Sequence, residues 1–181
     1  MYDDLIKDPD LYYRKLFETG WIDEWIDKDI DTLRNALHEA AAEEPRHMVF
    51  TLSEYSLDPE GFYNGDDYKG LLISLCRAFE IELPTENVIV EESDSIKLTI
   101  QTANGNITYY GTQEDDWLQD EFFDFINDEL LPELGEERIF YVLPPAEAQA
   151  ELVFQYPDVI EAAIDAGVIP DDDYFVANSQ E

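Results

Sequence analysis

Ile96-Lys97-Leu98-Thr99-Ile100-Gln101-Thr102-Ala103-Asn104-Gly105-Asn106-Ile107-Thr108-Tyr109-Tyr110-Gly111 is the stretch that decides the fold. Ile96, Leu98 and Ile100 alternate with Lys97, Thr99 and Gln101, the two-residue period of a strand with one buried face. Ile107–Gly111 resumes a strand after Ala103-Asn104-Gly105-Asn106. Asn-Gly tolerates positive φ, so this connection predicts a tight hairpin. Asn87–Glu92 supplies a third strand, and the three predict an antiparallel meander.

Helical periodicity dominates on either side. Asp8-Pro9 opens a helix, with Pro in the first turn and Leu11, Tyr12, Leu16 and Phe17 on its apolar face; Gly20 ends it. Trp21, Ile22, Trp25 and Ile26 begin a short amphipathic segment. A third helix, capped by Asp29 or Asp31, turns Ile30, Leu33, Leu37 and Ala40–Ala42 inward and stops before Pro45. Met48–Leu52 reads as a short strand. Residues 56–65 read as a loop, on Asp58-Pro59-Glu60-Gly61 and Asn64-Gly65. Helices are expected over 66–80, 115–131 and 157–166, and a strand over 138–143.

The expected class is α+β: a helical N-terminal region plus an antiparallel meander sheet packed with helices. The expected organisation is a single domain over 1–181, with a helical region over 1–45, an α+β core over 46–170 and an acidic tail over 171–181.

Charge is the second decisive feature. The 181 residues hold 44 acids against 10 Lys and Arg, a formal net charge of −34. Solubility asks only roughly 2–8 charges of a small domain. Charge beyond that repels itself and destabilises the compact state. Yet 45% of the chain is hydrophobic and 13% aromatic, enough for a core that a disordered acidic tail could not build. The charge therefore rides on a folded chain, and attraction to something basic is the expected benefit. With no basic patch, direct nucleic-acid binding is not expected.

Catalytic and metal chemistry find little support. His38 and His47 are the two histidines, and neither sits beside a nucleophile elbow. One cysteine, Cys76, reads as a small buried hydrophobe; with two histidines it makes a poor zinc set. Asp27-Lys28-Asp29-Ile30-Asp31 imitates the start of a calcium loop. Thr32 then stands where Gly should turn the chain, and His38 where Glu should close the site. Phosphate-binding glycine loops are absent from the sequence. The chain is expected not to be an enzyme, to use no cofactor and no metal, and to be cytoplasmic and without a membrane span, as no apolar run nears about 20 residues.

The expected site is an acidic row. Asp116, Asp120, Asp124 and Asp128 recur every four residues, with Asp115, Glu121 and Glu129 broadening the row and Trp117 beside it. On one continuous helix these acids would stand about 6 Å apart, comparable to phosphates along a nucleic-acid strand. The commoner meaning of such a row is a solvated face, and like charges at this spacing cost roughly 0.2–0.5 kcal/mol per pair.

In size, charge and layout — a meander over Ile96–Gly111 followed by an acidic helical segment — the chain resembles bacterial toxin-immunity proteins. Its charge resembles that of DNA-mimic inhibitors. Either resemblance implies an inhibitor that binds a basic protein, a nuclease toxin or a DNA-binding defence enzyme, with carboxylates in place of phosphates. The alternatives are an immunity protein for a non-nuclease toxin, a chaperone for a basic client, and a regulatory or enzymatic domain whose acidity is incidental or halophilic.

Overall fold

The computed structural model describes residues 2–22, 30–91, 95–112, 116–144 and 149–170. The fold is α+β, with helices and two three-stranded antiparallel sheets. The chain divides into two compact units. One comprises Met1–Leu57 with Tyr141–Glu181, and the other Asp58–Phe140.

The first unit begins with α1 (Tyr2–Leu5) and α2 (Pro9–Glu18). Asp8 caps α2 by accepting a hydrogen bond from the Leu11 amide. That satisfies one of the free amides at a helix start. α3 (Ile30–Glu43) follows. Pro45–Leu52 is not the strand its apolar run suggested but a 3₁₀ helix. Met48, Val49 and Leu52 turn into the core from it, which a strand with alternating faces would not do for neighbours 48 and 49.

A strand nevertheless forms just beyond, β1 (Tyr55–Leu57), in what reads as a loop. Its partner β6 (Ala150–Gln155) also went unforeseen. β1 has only three residues, and β6 buries Leu152, Val153 and Phe154 in succession, so neither shows the alternation of a half-buried strand. β5 (Ile139–Val142) completes the order β1-β6-β5, and α7 (Pro157–Asp165) is the last helix of the described residues. Tyr2, Tyr12, Leu16, Leu37, Met48, Val153, Ala163 and Val168 fill this core. The Tyr12 hydroxyl donates to the Val168 carbonyl at 2.8 Å, a buried bond between sequence-distant segments. Burial holds its phenol well above the ordinary range.

In the second unit α4 (Gly65–Ala78) lies against β2 (Val88–Val90) and β3 (Ile96–Thr102). β4 (Gly105–Gly111) completes the meander β2-β3-β4, with Leu98 opposite Tyr109 and Ile100 opposite Ile107. The alternation holds: Ile96, Leu98 and Ile100 are buried, while Lys97, Thr99 and Gln101 are not. The hairpin turn differs in detail. Its two-residue loop is Ala103-Asn104, and positive φ falls on Gly105 alone, at +147°, a region open essentially only to Gly.

Beyond β4 the expected helix over 115–131 starts only at Asp120 and runs on to Leu134 with a π-turn inside it. α5 spans Asp120–Phe125, a π-turn spans Ile126–Leu130 and α6 spans Leu131–Leu134. Tyr68, Tyr109 and Phe122 interlock at ring separations of 4.9–5.9 Å in this core. Cys76 is buried as expected, and desolvation pushes its thiol up to about 11.

No helix among the described residues is long and apolar enough to cross a membrane. The expected calcium-like loop falls largely in residues 23–29, and the acidic tail in 171–181, both outside the described residues.

Candidate functional site

The expected acidic row is rebuilt by the structure. Asp115 lies outside the described residues. Asp116 is not helical: it precedes α5 in an extended segment, where Trp117 bridges to Glu60. Asp120 and Glu121 are the first residues of α5. There their charge favours the helix by interacting with its positive end, a structural role that needs no partner. Asp124 follows one turn later on the same face as Asp120. The π-turn then winds the chain more widely, closing over five residues rather than four. Asp128 and Glu129 remain exposed within that more widely wound segment.

The cause of the π-turn lies in what it sets in place. Ile126, Leu130 and Leu131 are all buried. Between them Asn127 turns its amide onto the Phe140 backbone. Nδ2 donates to the Phe140 carbonyl at 2.8 Å, and Oδ1 accepts from the Phe140 amide at 2.9 Å. Buried backbone groups need such partners. An extra residue in the helix serves packing and backbone pairing, not the acid row.

Asp116 gains a different setting. Its carbonyl accepts from the Gly61 and Phe62 amides at 2.8 and 3.0 Å, and the Leu118 amide donates to the Pro59 carbonyl at 2.8 Å. Gly61, at φ +93°, makes the bend that allows this pairing. The Tyr63 hydroxyl donates to Asp116 Oδ2 at 3.2 Å. Tyr63 is held from behind as well. Asp67 Oδ2 accepts from the Tyr63 and Asn64 amides, while the Asn64 side chain accepts from the Asp66 amide. This capping box starts α4 and fixes the backbone that carries Tyr63. Its ring stands 66% exposed, and Trp117 44%. The hydrogen bond to Asp116, then the charges of Asp116, Glu60 and Asp67, raise the Tyr63 phenol.

The structure thus brings Asp116 and Trp117 beside Tyr63 and Glu60, and leaves Asp120, Glu121, Asp124, Asp128 and Glu129 exposed along the helix that follows. Tyr63, Glu60 and Asp67 went unread because they sit in turn chemistry. The available signal was an aromatic placed directly before a helix N-cap.

Cations are scarce here. No Lys or Arg occurs between Lys97 and Arg138, an interval with eleven acids. Arg138 itself is held by Glu136 at 2.8 Å. That guanidinium, helped by backbone amides, lowers the Glu136 carboxyl to about 2.

Among the described residues no group of three or more His, Cys, Asp or Glu is arranged to hold a metal ion. His38 lies on the surface, 3.3 Å from Asp10 Oδ1, and the His47 ring packs edge-on against Phe50. The chemistry open to this surface is reversible capture of positive charge. The chain matches no protein-family model, no curated protein and no solved structure.

Proposed function

We propose that this protein is an acidic inhibitor that binds and blocks a basic, nucleic-acid-processing partner, its carboxylates lying where that partner would hold phosphates. The observation that carries this reading is the cation-free interval between Lys97 and Arg138. Its described acids, including Asp116, Asp120, Glu121, Asp124, Asp128 and Glu129, all reach the surface. Among the described residues those of α5 and the π-turn enter no ion pair. Opposite charge of this density speeds encounter to as much as about 10⁸–10⁹ M⁻¹s⁻¹ at low salt. Neutralisation of the partner's phosphate-binding residues would then exclude DNA or RNA.

The test is competition. The full chain is added to basic nucleases and DNA-binding proteins retained on an immobilised sample, and their binding to duplex DNA is followed at two salt concentrations. Stoichiometric loss of DNA binding, weaker at high salt, is expected. The quadruple variant D116N/D120N/D124N/D128N should raise the inhibitory concentration at least tenfold while its thermal melt stays within a few degrees. If no basic protein is retained at low salt, the reading fails. Retention without loss of DNA binding would instead indicate a basic partner that does not process nucleic acid.

A further inference from the structure

Twice in this molecule a cation is held jointly by a tyrosine ring and a carboxylate. Arg34 lies 5.7 Å from the centre of the Tyr13 ring while its Nη2 meets Asp10 Oδ1 at 2.7 Å. Lys97 Nζ lies 5.7 Å from the centre of the Tyr110 ring and 2.7 Å from Glu91 Oε1. The arrangement is chemically sensible. The ring face offers its quadrupole to the charge, and the carboxylate supplies the ion pair.

Tyr63 and Asp116 bring together the same two kinds of group, an exposed ring and a carboxylate, here joined directly by the 3.2 Å bond from the Tyr63 hydroxyl, with the charges of Glu60 and Asp67 close by. Among the described residues no Lys or Arg forms an ion pair with Asp116, Glu60 or Asp67. The pairing of Gly61, Phe62 and Leu118 with Asp116 and Pro59, and the capping box of α4, hold the tyrosine and the carboxylate in place before any cation arrives.

We infer that the exposed Tyr63 ring, the Asp116 carboxylate bonded to it and the neighbouring Glu60 form a receptor for one arginine side chain supplied by a basic protein partner. This rests on the function proposed above and names a contact within it. Arginine suits the place better than lysine, since its planar guanidinium can lie over the ring while its edge donates to the carboxylate. The bulk charge draws the partner in, and this one preformed contact gives the docked complex a register.

Tyrosine makes the inference separable from charge alone, because Tyr63→Ala leaves the net charge untouched. The experiment is a nuclear magnetic resonance titration of the full chain with a blocked hexa-arginine peptide at physiological salt. The amides of Glu60, Tyr63 and Asp116 should shift at the lowest peptide concentrations. In Tyr63→Ala the dissociation constant read from those amides should rise about threefold. That is about 0.7 kcal/mol, the size of one exposed cation–π contact, since this variant keeps the Asp116 carboxylate. Tyr63→Phe, which keeps the ring and loses the hydroxyl, should keep most of the affinity. It also guards against a folding defect in the alanine variant, as does an unchanged circular dichroism melt.

An unchanged constant in a folded Tyr63→Ala would overturn the receptor and leave the acidic inhibitor standing. Failure of the unaltered chain to bind the peptide at all would overturn both.

Discussion

The hairpin Ile96–Gly111 and the acidic stretch Asp116–Leu134 are adjacent in sequence and both carry a regular pattern, yet only the first is realised as written. In the hairpin every buried position alternates with an unburied one across β3, and the register with β4 runs unbroken from Ile96–Gly111 to Thr102–Gly105. In the acidic row, from Asp116 to Glu129, α-helical winding holds only from Asp120 to Phe125. Before it Asp116 is drawn into pairing with the 59–62 segment, and after it the π-turn adds a residue.

The difference teaches which pattern has energy behind it. Burial of Leu98 and Ile100 contributes directly to folding. Alignment of like charges costs energy, so nothing in the fold defends the row when packing demands an extra residue. A pattern of exposed acids is therefore weak evidence of geometry, even where it is good evidence of electrostatics.

Two substitutions separate the two regions further, and a third, at Glu136, probes the turn just beyond them. The largest effect belongs to the hairpin. Leu98 is fully buried, and Leu98→Ala should cost about 3–4 kcal/mol through lost burial and the cavity left behind. Chemical denaturation would show this as an earlier midpoint, and a loss under about 1 kcal/mol would mean the meander is not the keystone described.

Asn127→Ala should come next. It strips the Phe140 amide and carbonyl of their side-chain partners and should cost about 2–3 kcal/mol, the penalty for unsatisfied buried groups. Should this variant prove as stable as the parent, the π-turn would need another cause.

The smallest effect concerns Glu136, whose carboxyl is lowered to about 2 chiefly by its hydrogen bond with Arg138. A lowered folded-state value stabilises the protein above the ordinary carboxylate range, near pH 4.5. That contribution is lost as pH falls from there through about 2. Arg138 is partly exposed, so solvent screening reduces the gain to about 1 kcal/mol. Glu136→Gln should therefore lower the melting temperature by a few degrees at pH 7 and leave it unchanged near pH 2. An equal loss at both pH values would count against the ion pair.

Some of this was legible in advance. Residues with strong apolar periodicity announced α2, α4 and the meander, because burying one face is a demand each segment makes by itself. Met48–Leu52 misled because a five-residue apolar run suits a strand and a tight helix equally well. β1, at three residues, was too short to show a period, and β6 was silent because it buries Leu152, Val153 and Phe154 in succession instead of alternating. At the candidate site, Asp116 and Trp117 stood out by type, while Tyr63 did not. Its importance depends on Asp116 arriving 53 positions later in the chain.

By itself the sequence determined that the chain folds, that it is α+β around an antiparallel hairpin, and that its surface is overwhelmingly negative. These follow from composition and local period, quantities each segment carries without its neighbours. Only the tertiary structure decided where the negative charge acquires shape. It took Asp116 out of the helix and placed a π-turn after Asp124, where Ile126, Leu130 and Leu131 are buried and Asn127 pairs with the Phe140 backbone. It also set Asp116 against the Tyr63 hydroxyl, because the 59–62 segment needed a backbone partner. Both outcomes depend on contacts between residues far apart in the chain, and no local pattern encodes them.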